Sequence, residues 1–331
     1  MTRLRVGIVG FGSIVELAHL PALRALAPRI AVEAVVDSSE ERRKTATAMP
    51  EVRLVAASVD DFLRTAPSLD LVVSALPPDA NGVTAGRLAA AGYTVLAEKP
   101  LAATAAEARQ ILGDAETAGR VSMVHNYFFR TDVQAAVAAV REGAIGAVRL
   151  TRLERPDGGH FVGSGIDPHW RRSAQRHGGC LRDNAYHWIY LAPALCHSEI
   201  DDATARVSSR RSDEVEDVGH AVLRHANGAL TTVTTAWCAI SARPVLEVHG
   251  ETGSLRLLGD ENACEINTGA GWTTLPGRVG VNSYEQMYRH LLDVGAGADE
   301  RLSVQSGLRV LDVLDQLYAA ASDHHGDGGP R

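Results

Sequence analysis

The sequence predicts an α/β protein, an N-terminal doubly wound parallel sheet followed by a C-terminal α/β domain with a large, mainly antiparallel open sheet. Three observations carry this. Residues 3–125 alternate short apolar runs with helical patterns, the signature of parallel strands with helices on both faces. The first run ends in Gly10-Phe11-Gly12 and the fifth in Glu98-Lys99-Pro100, so a glycine turn and an ammonium group fall at the carboxyl ends of strands, where open α/β sheets bind ligands. After residue 200, strand-like runs follow one another across short turns such as Ala226-Asn227-Gly228, which reads as antiparallel pairing.

The elements follow in order. Strands are expected at 4–9, 30–36, 52–55, 69–74, 93–97 and 121–125, with helices near 17–26, 40–48, 80–91 and 104–118 between them. Asp79, and Thr104 with Glu107, read as helix N-terminal caps. A helix at 131–142 leads to a strand at 147–154, then to a Gly-, Arg- and His-rich loop over 155–179 and a helix at 184–195. Strands at 203–208, 218–224, 229–239, 244–249 and 253–258 and a last helix at 303–321 complete the chain. The expected division is a dinucleotide-binding domain over 1–125, a substrate-binding and oligomerisation domain over 126–322, and a disordered tail over 323–331.

Composition narrows the function classes. With 45% hydrophobic and 22% charged residues and a net charge of −7, the chain is an ordinary globular one with no pull toward nucleic acid or an acidic membrane. No apolar run approaches the roughly 20 residues that span a bilayer, and residues 1–5 run straight into a strand without a signal peptide. Cys180, Cys196, Cys238 and Cys264 are widely spaced with no Cys-x-x-Cys pair. A reduced cytoplasmic protein without a metal site or disulfide framework is expected.

Three constellations carry chemistry. Gly10-x-Gly12 follows a strand and opens a helix, the context in which the first glycine allows a tight turn, the second lets the backbone approach a pyrophosphate, and the helix N-terminus holds the phosphates. The third position of that fingerprint is Val15, whose bulk should push the helix slightly off the sheet. Asp37 ends the second strand, where a carboxylate bonds ribose hydroxyls and repels a 2′-phosphate, favouring NAD over NADP. A turn or capping aspartate is the structural alternative, and Arg42 and Arg43 just beyond could serve NADP. Lys99 at the sheet edge can orient a substrate hydroxyl, share its proton or stabilise an alkoxide, where the plainer role is a surface lysine paired with Glu98. Asp183 and His187, four apart in Gly178-Gly179-Cys180-Leu181-Arg182-Asp183-Asn184-Ala185-Tyr186-His187, share a helix face. A histidine there can accept a hydroxyl proton while a carboxylate fixes its ring; a helix cap and a core histidine are the alternative.

Gly10-Phe-Gly-Ser-Ile14, His19-Leu-Pro-Ala22, Glu98-Lys99-Pro100 and Gly178-Gly179…Asp183-x-x-x-His187 together resemble the Gfo/Idh/MocA oxidoreductases, which include glucose–fructose oxidoreductase and inositol dehydrogenases. The resemblance implies an NAD(P)-dependent redox reaction on a sugar, cyclitol or related polyol, with Lys99, Asp183 and His187 as catalytic residues. It implies cofactor contacts from Gly10, Phe11, Gly12, Ser13, Ile14, Asp37, Ser38, Ser74, Leu76, Pro77, Asn81, Glu98, Lys99, Asn126, Trp170 and Arg171. Substrate contacts are expected from Lys99, Arg155, His160, Trp170, Asp183 and His187. It further implies a homodimer or homotetramer through the C-terminal sheet, whose open face is expected to be apolar, and a cis Lys99–Pro100 peptide. Val15, Asn81 and Ala185 depart from the family's usual residues, and none of them removes a catalytic group. A nucleotide-linked or antibiotic sugar is the alternative substrate, and a non-catalytic NAD-binding sensor the alternative of another class.

Overall fold

Six parallel strands form the first sheet: β1 (Leu4–Val9), β2 (Ile30–Val36), β3 (Leu54–Ala56), β4 (Leu71–Ser74), β5 (Val95–Ala97) and β6 (Val121–Met123). Their order is β3-β2-β1-β4-β5-β6, so the winding reverses between β1 and β4, the point at which such sheets bind ligands. Every residue of β4 and β5 is buried, which explains why all of them except Ser74 are apolar. The structure is a computed structural model that describes residues 3–65, 68–156, 170–209, 214–237, 244–258, 263–277 and 281–322.

Local chemistry sets the helix starts. Thr104 Oγ1 accepts the Glu107 amide at 3.1 Å while Glu107 Oε2 accepts the Ala103 amide at 3.0 Å, a reciprocal cap of the helix Ala105–Leu112. Asp79 is not a cap: the helix Pro78–Ala90 begins after Pro77, and Asp79 lies inside its first turn, where a carboxylate favours the helix dipole. Val15 is fully buried. The helix after the glycine turn opens with a wide π-type turn, Val15–His19, before Leu20–Ala25 continues as an α-helix.

The chain divides into two compact units, Met1–Asn126 with Asn282–Leu308, and Tyr127–Val281 with Arg309–Arg331. The segment from 282 to 308, which the sequence division places in the second domain, therefore belongs with the first. Its helix Ser283–Val294 is joined there by polar contacts: Tyr284 Oη donates to Glu98 at 3.0 Å, Tyr288 Oη meets His19 at 2.6 Å, and Asp293 pairs with Arg29 at 2.8 Å.

The second unit is built on an eight-stranded sheet: β7 (Val148–Pro156), β8 (Ile200–Ser208), β9 (Val218–His225), β10 (Leu230–Ala236), β11 (Val245–Gly250), β12 (Ser254–Leu258), β13 (Ala263–Asn267) and β14 (Thr273–Thr274). The order is β14-β13-β12-β11-β7-β10-β9-β8, antiparallel except for β7 beside β10. Leu153, Leu246, Val248, Leu255, Leu257 and Cys264 are buried on one face, against which the helices Thr131–Arg141 and Tyr186–Cys196 pack.

The other face is not the apolar surface the sequence suggests. The register sets Arg152 opposite Glu247, Glu247 opposite Arg256, and Arg256 opposite Glu265. Ion pairs of 2.8 Å (Arg152–Glu247), 2.9 Å (Arg152–Glu154) and 2.6 Å (Arg256–Glu265) lace the row. Alternation of apolar and charged residues along each strand puts one class on each face. No helix among the described residues is long and apolar enough to cross a membrane.

Candidate functional site

In the first unit the carboxyl ends of β1, β2, β4 and β5 gather the predicted cofactor residues. Gly10 has φ +88°, and a Cβ on it would lie 2.5 Å from the Ala75 carbonyl oxygen and 2.9 Å from the Leu76 side chain, so only glycine fits. The Phe11 amide donates to Asp37 Oδ2 at 2.7 Å, and the Ser39 amide to Asp37 Oδ1 at 2.8 Å. Asp37, buried, thus closes the glycine turn as well as its own, which is the role the turn-aspartate alternative gives it. Ser39 caps the next helix, Glu40–Thr47. Arg42 lies 3.8 Å from Asp37 Oδ2, and Arg43 is tied to the Asp37 and Ser38 carbonyls at 2.9 and 2.7 Å. Ser13 is half-buried and Ile14 exposed at the helix start, and Pro77 precedes the helix at 78.

Glu98 lies at the centre of a buried network. Its Oε1 meets His19 Nε2 at 3.0 Å and accepts the Tyr284 hydroxyl at 3.0 Å, and its Oε2 accepts the Lys99 amide at 3.1 Å. Burial pushes the Glu98 carboxyl up, but the His19 contact, the Lys99 charge and the Tyr284 hydroxyl outweigh it and hold the group below the usual carboxylate range. Ser74 and Asn81, expected at the cofactor, are buried beneath this edge: Ser74 Oγ donates to Asn81 Oδ1 at 2.8 Å, and Asn81 Nδ2 donates to the Glu98 carbonyl. They brace Glu98. Lys99, half-buried, follows at a cis bond to Pro100. Asn126 donates from Nδ2 to Ser283 at 3.1 Å, while its buried Oδ1 has no hydrogen-bond partner among the described residues.

The first unit fits a dinucleotide on these grounds. The glycine turn leaves backbone amides at a helix start, Asp37 supplies acceptor oxygens at the end of β2, and the Asn126 oxygen is an acceptor awaiting a donor.

In the second unit the helix that carries the predicted acid/base residues begins irregularly. Leu181–Ala185 is a π-type turn that runs into Tyr186–Cys196, so the four-residue spacing of Asp183 and His187 spans two helical geometries. Asp183 Oδ2 accepts from Arg171 Nε at 2.8 Å, and the Arg171 guanidinium lies 4.4 Å from the centroid of the Trp170 ring. The His187 ring stacks on Tyr127 at 4.2 Å and 14°, with Nδ1 3.1 Å from the Tyr190 hydroxyl. Arg155 donates to the Tyr127 hydroxyl. His160 lies outside the described residues. Lys99 belongs to the first unit, and Asp183 and His187 to the second.

Glu216 anchors the start of that helix. Its Oε1 accepts the Leu181 amide at 3.0 Å and the Tyr318 hydroxyl at 2.7 Å. A Cβ on Gly179, φ +113°, would lie 2.4 Å from the same oxygen. Burial raises the Glu216 carboxyl, with the Tyr318 hydroxyl pulling the other way. Sequence reasoning missed Glu216, Tyr127, Tyr190 and Tyr284. Only Tyr190 left a local signal, three residues after His187 on a helix.

Comparison with known proteins agrees with this fold. Residues 4–126 match the pattern described as "Oxidoreductase family, NAD-binding Rossmann fold", and residues 133–256 match the Gfo/Idh/MocA C-terminal domain. The chain is 26% identical to a D-apiose dehydrogenase of Paraburkholderia graminis, over 97% of this chain and 88% of that protein. It is 30% identical to the dTDP-3,4-didehydro-2,6-dideoxy-alpha-D-glucose 3-reductase of Streptomyces violaceoruber, over 80% of this chain and 72% of that one. The fold superposes on levoglucosan dehydrogenase in complex with NADH with a TM-score of 0.86, covering 97% of this chain and 98% of that one at 20% identity. A glycine turn at the switch point, a lysine ending β5, a histidine on the second unit's irregular helix and both family patterns place the chain in the Gfo/Idh/MocA family of NAD-binding oxidoreductases.

Proposed function

We propose that this protein is an NAD-dependent dehydrogenase that interconverts a carbinol and a ketone on a sugar, cyclitol or related polyol. The observation that carries the reading is Lys99, half-buried at the carboxyl end of β5, in the sheet whose β1 ends in the glycine turn. Relatives named for D-apiose and for a dTDP-linked deoxysugar support the substrate class. The second of these also supports a nucleotide-linked sugar as an alternative substrate, one for which Arg155 offers a cation.

In this reading Gly10, Phe11 and Gly12 receive the pyrophosphate, Asp37 the ribose hydroxyls, and Ser13, Ile14, Ser38, Leu76, Pro77, Asn126, Trp170 and Arg171 contact the rest of the cofactor. Bound NAD would supply the hydride acceptor. His187 exchanges the substrate's hydroxyl proton, Lys99 orients and polarises the oxygen, and Asp183 with Arg155 contacts the substrate. Asp37 favours NAD over NADP by repelling a 2′-phosphate. A cytoplasmic location and assembly through the C-terminal sheet complete the proposal.

A nicotinamide-absorbance screen against sugars, inositols, amino sugars and nucleotide-linked sugars tests it. Turnover of at least one of them with NAD is expected. Tight NADH binding without turnover of any would instead mark a non-catalytic sensor.

A further inference from the structure

His187 is held on two sides by tyrosines. The Tyr127 ring lies parallel to the imidazole, 4.2 Å away and 14° off its plane, and the Tyr190 hydroxyl sits 3.1 Å from Nδ1. The two tyrosines are themselves joined, because the Tyr127 amide donates to Tyr190 Oη at 3.0 Å. Tyr127 is fixed in turn. Its hydroxyl accepts from Arg155, Trp188 meets its ring edge-on at 5.6 Å, and the Arg130 guanidinium lies 5.1 Å from the ring centroid. Arg130 is anchored by the fully buried Asp132 at 2.5 Å. Phe128 and Tyr186 pack on the Tyr190 ring at 5.0 and 6.1 Å. These contacts oppose rotation of the His187 ring plane and a flip that would exchange its two nitrogens.

We propose that Tyr190 and Tyr127 are the positioning residues of His187: Nδ1–H donates to Tyr190 Oη, the Tyr127 ring fixes the plane, and Nε2 is the atom that exchanges the substrate's hydroxyl proton. This inference rests on the dehydrogenase reading for the substrate, but not for the ring geometry. Histidine orientation of this kind is often the task of a backbone carbonyl or a carboxylate on Nδ1. Here the carboxylate at the expected spacing, Asp183, accepts from Arg171. A phenol does the orienting without adding a negative charge. Burial raises the Tyr190 hydroxyl well above its ordinary range, so it stays a neutral partner at working pH. During alcohol oxidation the hydroxyl proton passes to Nε2 while Nδ1 keeps its own, so the imidazolium retains the same bond to Tyr190. In the reverse direction Nε2 returns that proton to the alkoxide oxygen. The ring does not have to turn over in either direction.

The test combines ¹⁵N NMR of histidine-labelled full-length protein with kinetics on the best substrate of the polyol screen. The resonances of His187 are assigned by their loss in His187→Gln. The wild type should carry its neutral-state proton on Nδ1, against the preference of a free imidazole for Nε2. In Tyr190→Phe, which keeps the aromatic packing, the signal should move toward the Nε2–H form or a mixture. Turnover should fall at least about tenfold with KM within about twofold, because misplacement of a reacting group is paid in kcat. Tyr127→Ala should broaden the same resonances. A wild-type proton on Nε2, or a spectrum unchanged by Tyr190→Phe, would overturn the proposal. A Tyr190-dependent Nδ1–H signal in a protein that turns over no sugar or polyol would uphold the orientation and overturn the dehydrogenase reading instead.

Discussion

Arg171 Nε donates to Asp183 Oδ2 across 2.8 Å, with 18% of the arginine side chain and 5% of the aspartate exposed. The Asp183 carboxylate is therefore balanced by a guanidinium that also covers the Trp170 ring. Breaking a buried pair by removing one partner leaves an uncompensated charge and typically costs 3–5 kcal/mol. Arg171→Ala should cost somewhat less, about 2–4 kcal/mol, since the arginine keeps some solvent. Adding Asp183→Asn in that background should return more than about 1 kcal/mol, because the orphaned charge goes with it. Urea unfolding of the four proteins measures both effects. Simply additive losses would mean that the pair is not energetically coupled.

Lys99→Ala and His187→Ala should each lower turnover at least about a hundredfold, the low end of what general acid–base groups contribute. Affinity for NADH should stay nearly constant, because the glycine turn and Asp37 belong to other strands of the sheet. Asp183→Asn should fall between the wild type and these variants, since the amide still accepts from Arg171. Steady-state kinetics with fluorescence titration of NADH separates the two quantities. Near-native turnover by His187→Ala would make the histidine a packing residue.

Asp37 accepts the Phe11 amide at 2.7 Å, so it shapes the glycine turn, and in the proposed function the same carboxylate takes the ribose hydroxyls. Asp37→Ser should weaken NADH binding at least about tenfold, the cost of losing a hydrogen bond to a charged group. NADPH should be affected less, because repulsion of the 2′-phosphate disappears. Calorimetry of the wild type should find NADH the tighter ligand. Tighter NADPH would reassign the site to Arg42, 3.8 Å from Asp37.

The parallel sheet and its ligand edge were legible because buried parallel strands are continuous apolar runs, and Gly10, Asp37 and Lys99 each end one. What lay beyond reach was non-local. Tyr284 meets Glu98 across 186 residues of chain, and no periodicity announces that the helix at 283–294 joins the first unit. α-Helical spacing puts Asp183 and His187 on one face, but it does not show the π-type turn Leu181–Ala185 that lies within that spacing. The charged face of the large sheet depends on register. A strand such as β12 shows alternation in sequence, but not that its Arg256 meets Glu247 and Glu265.

Asp299 gives the acid limb of stability a named group. Burial pushes its carboxyl up, but side-chain and backbone hydrogen bonds from Arg301, with His290 at 2.6 Å, outweigh this and bring it down from 3.8 to about 2. A carboxyl whose folded value is depressed stabilises the fold above its unfolded value and loses that contribution as pH falls toward the folded one. The melting temperature of Asp299→Asn should therefore lie below that of the wild type above about pH 4, and the two should converge near pH 2. Calorimetric scans over this range check it. A constant offset at every pH would exclude the ionisation as the cause.

Arg256 sits between Glu247 and Glu265 on the open face of the large sheet and covers the Trp272 ring at 4.3 Å. Arg256→Glu would set three carboxylates in a row across neighbouring strands. In a solvated monomer, like charges across strands cost only about 0.2–1 kcal/mol each, so the variant should fold. If a second copy covers this face, the same carboxylates must leave water, and unpaired buried charge costs several kcal/mol. The dissociation constant of the assembly should then rise at least about a hundredfold, while Arg256→Gln, which removes charge without reversing it, should raise it less. Sedimentation velocity at micromolar concentration, with circular dichroism as the control for folding, reads the result. A wild-type monomer, or a variant that assembles as tightly as the wild type, would remove the open face as the site of association.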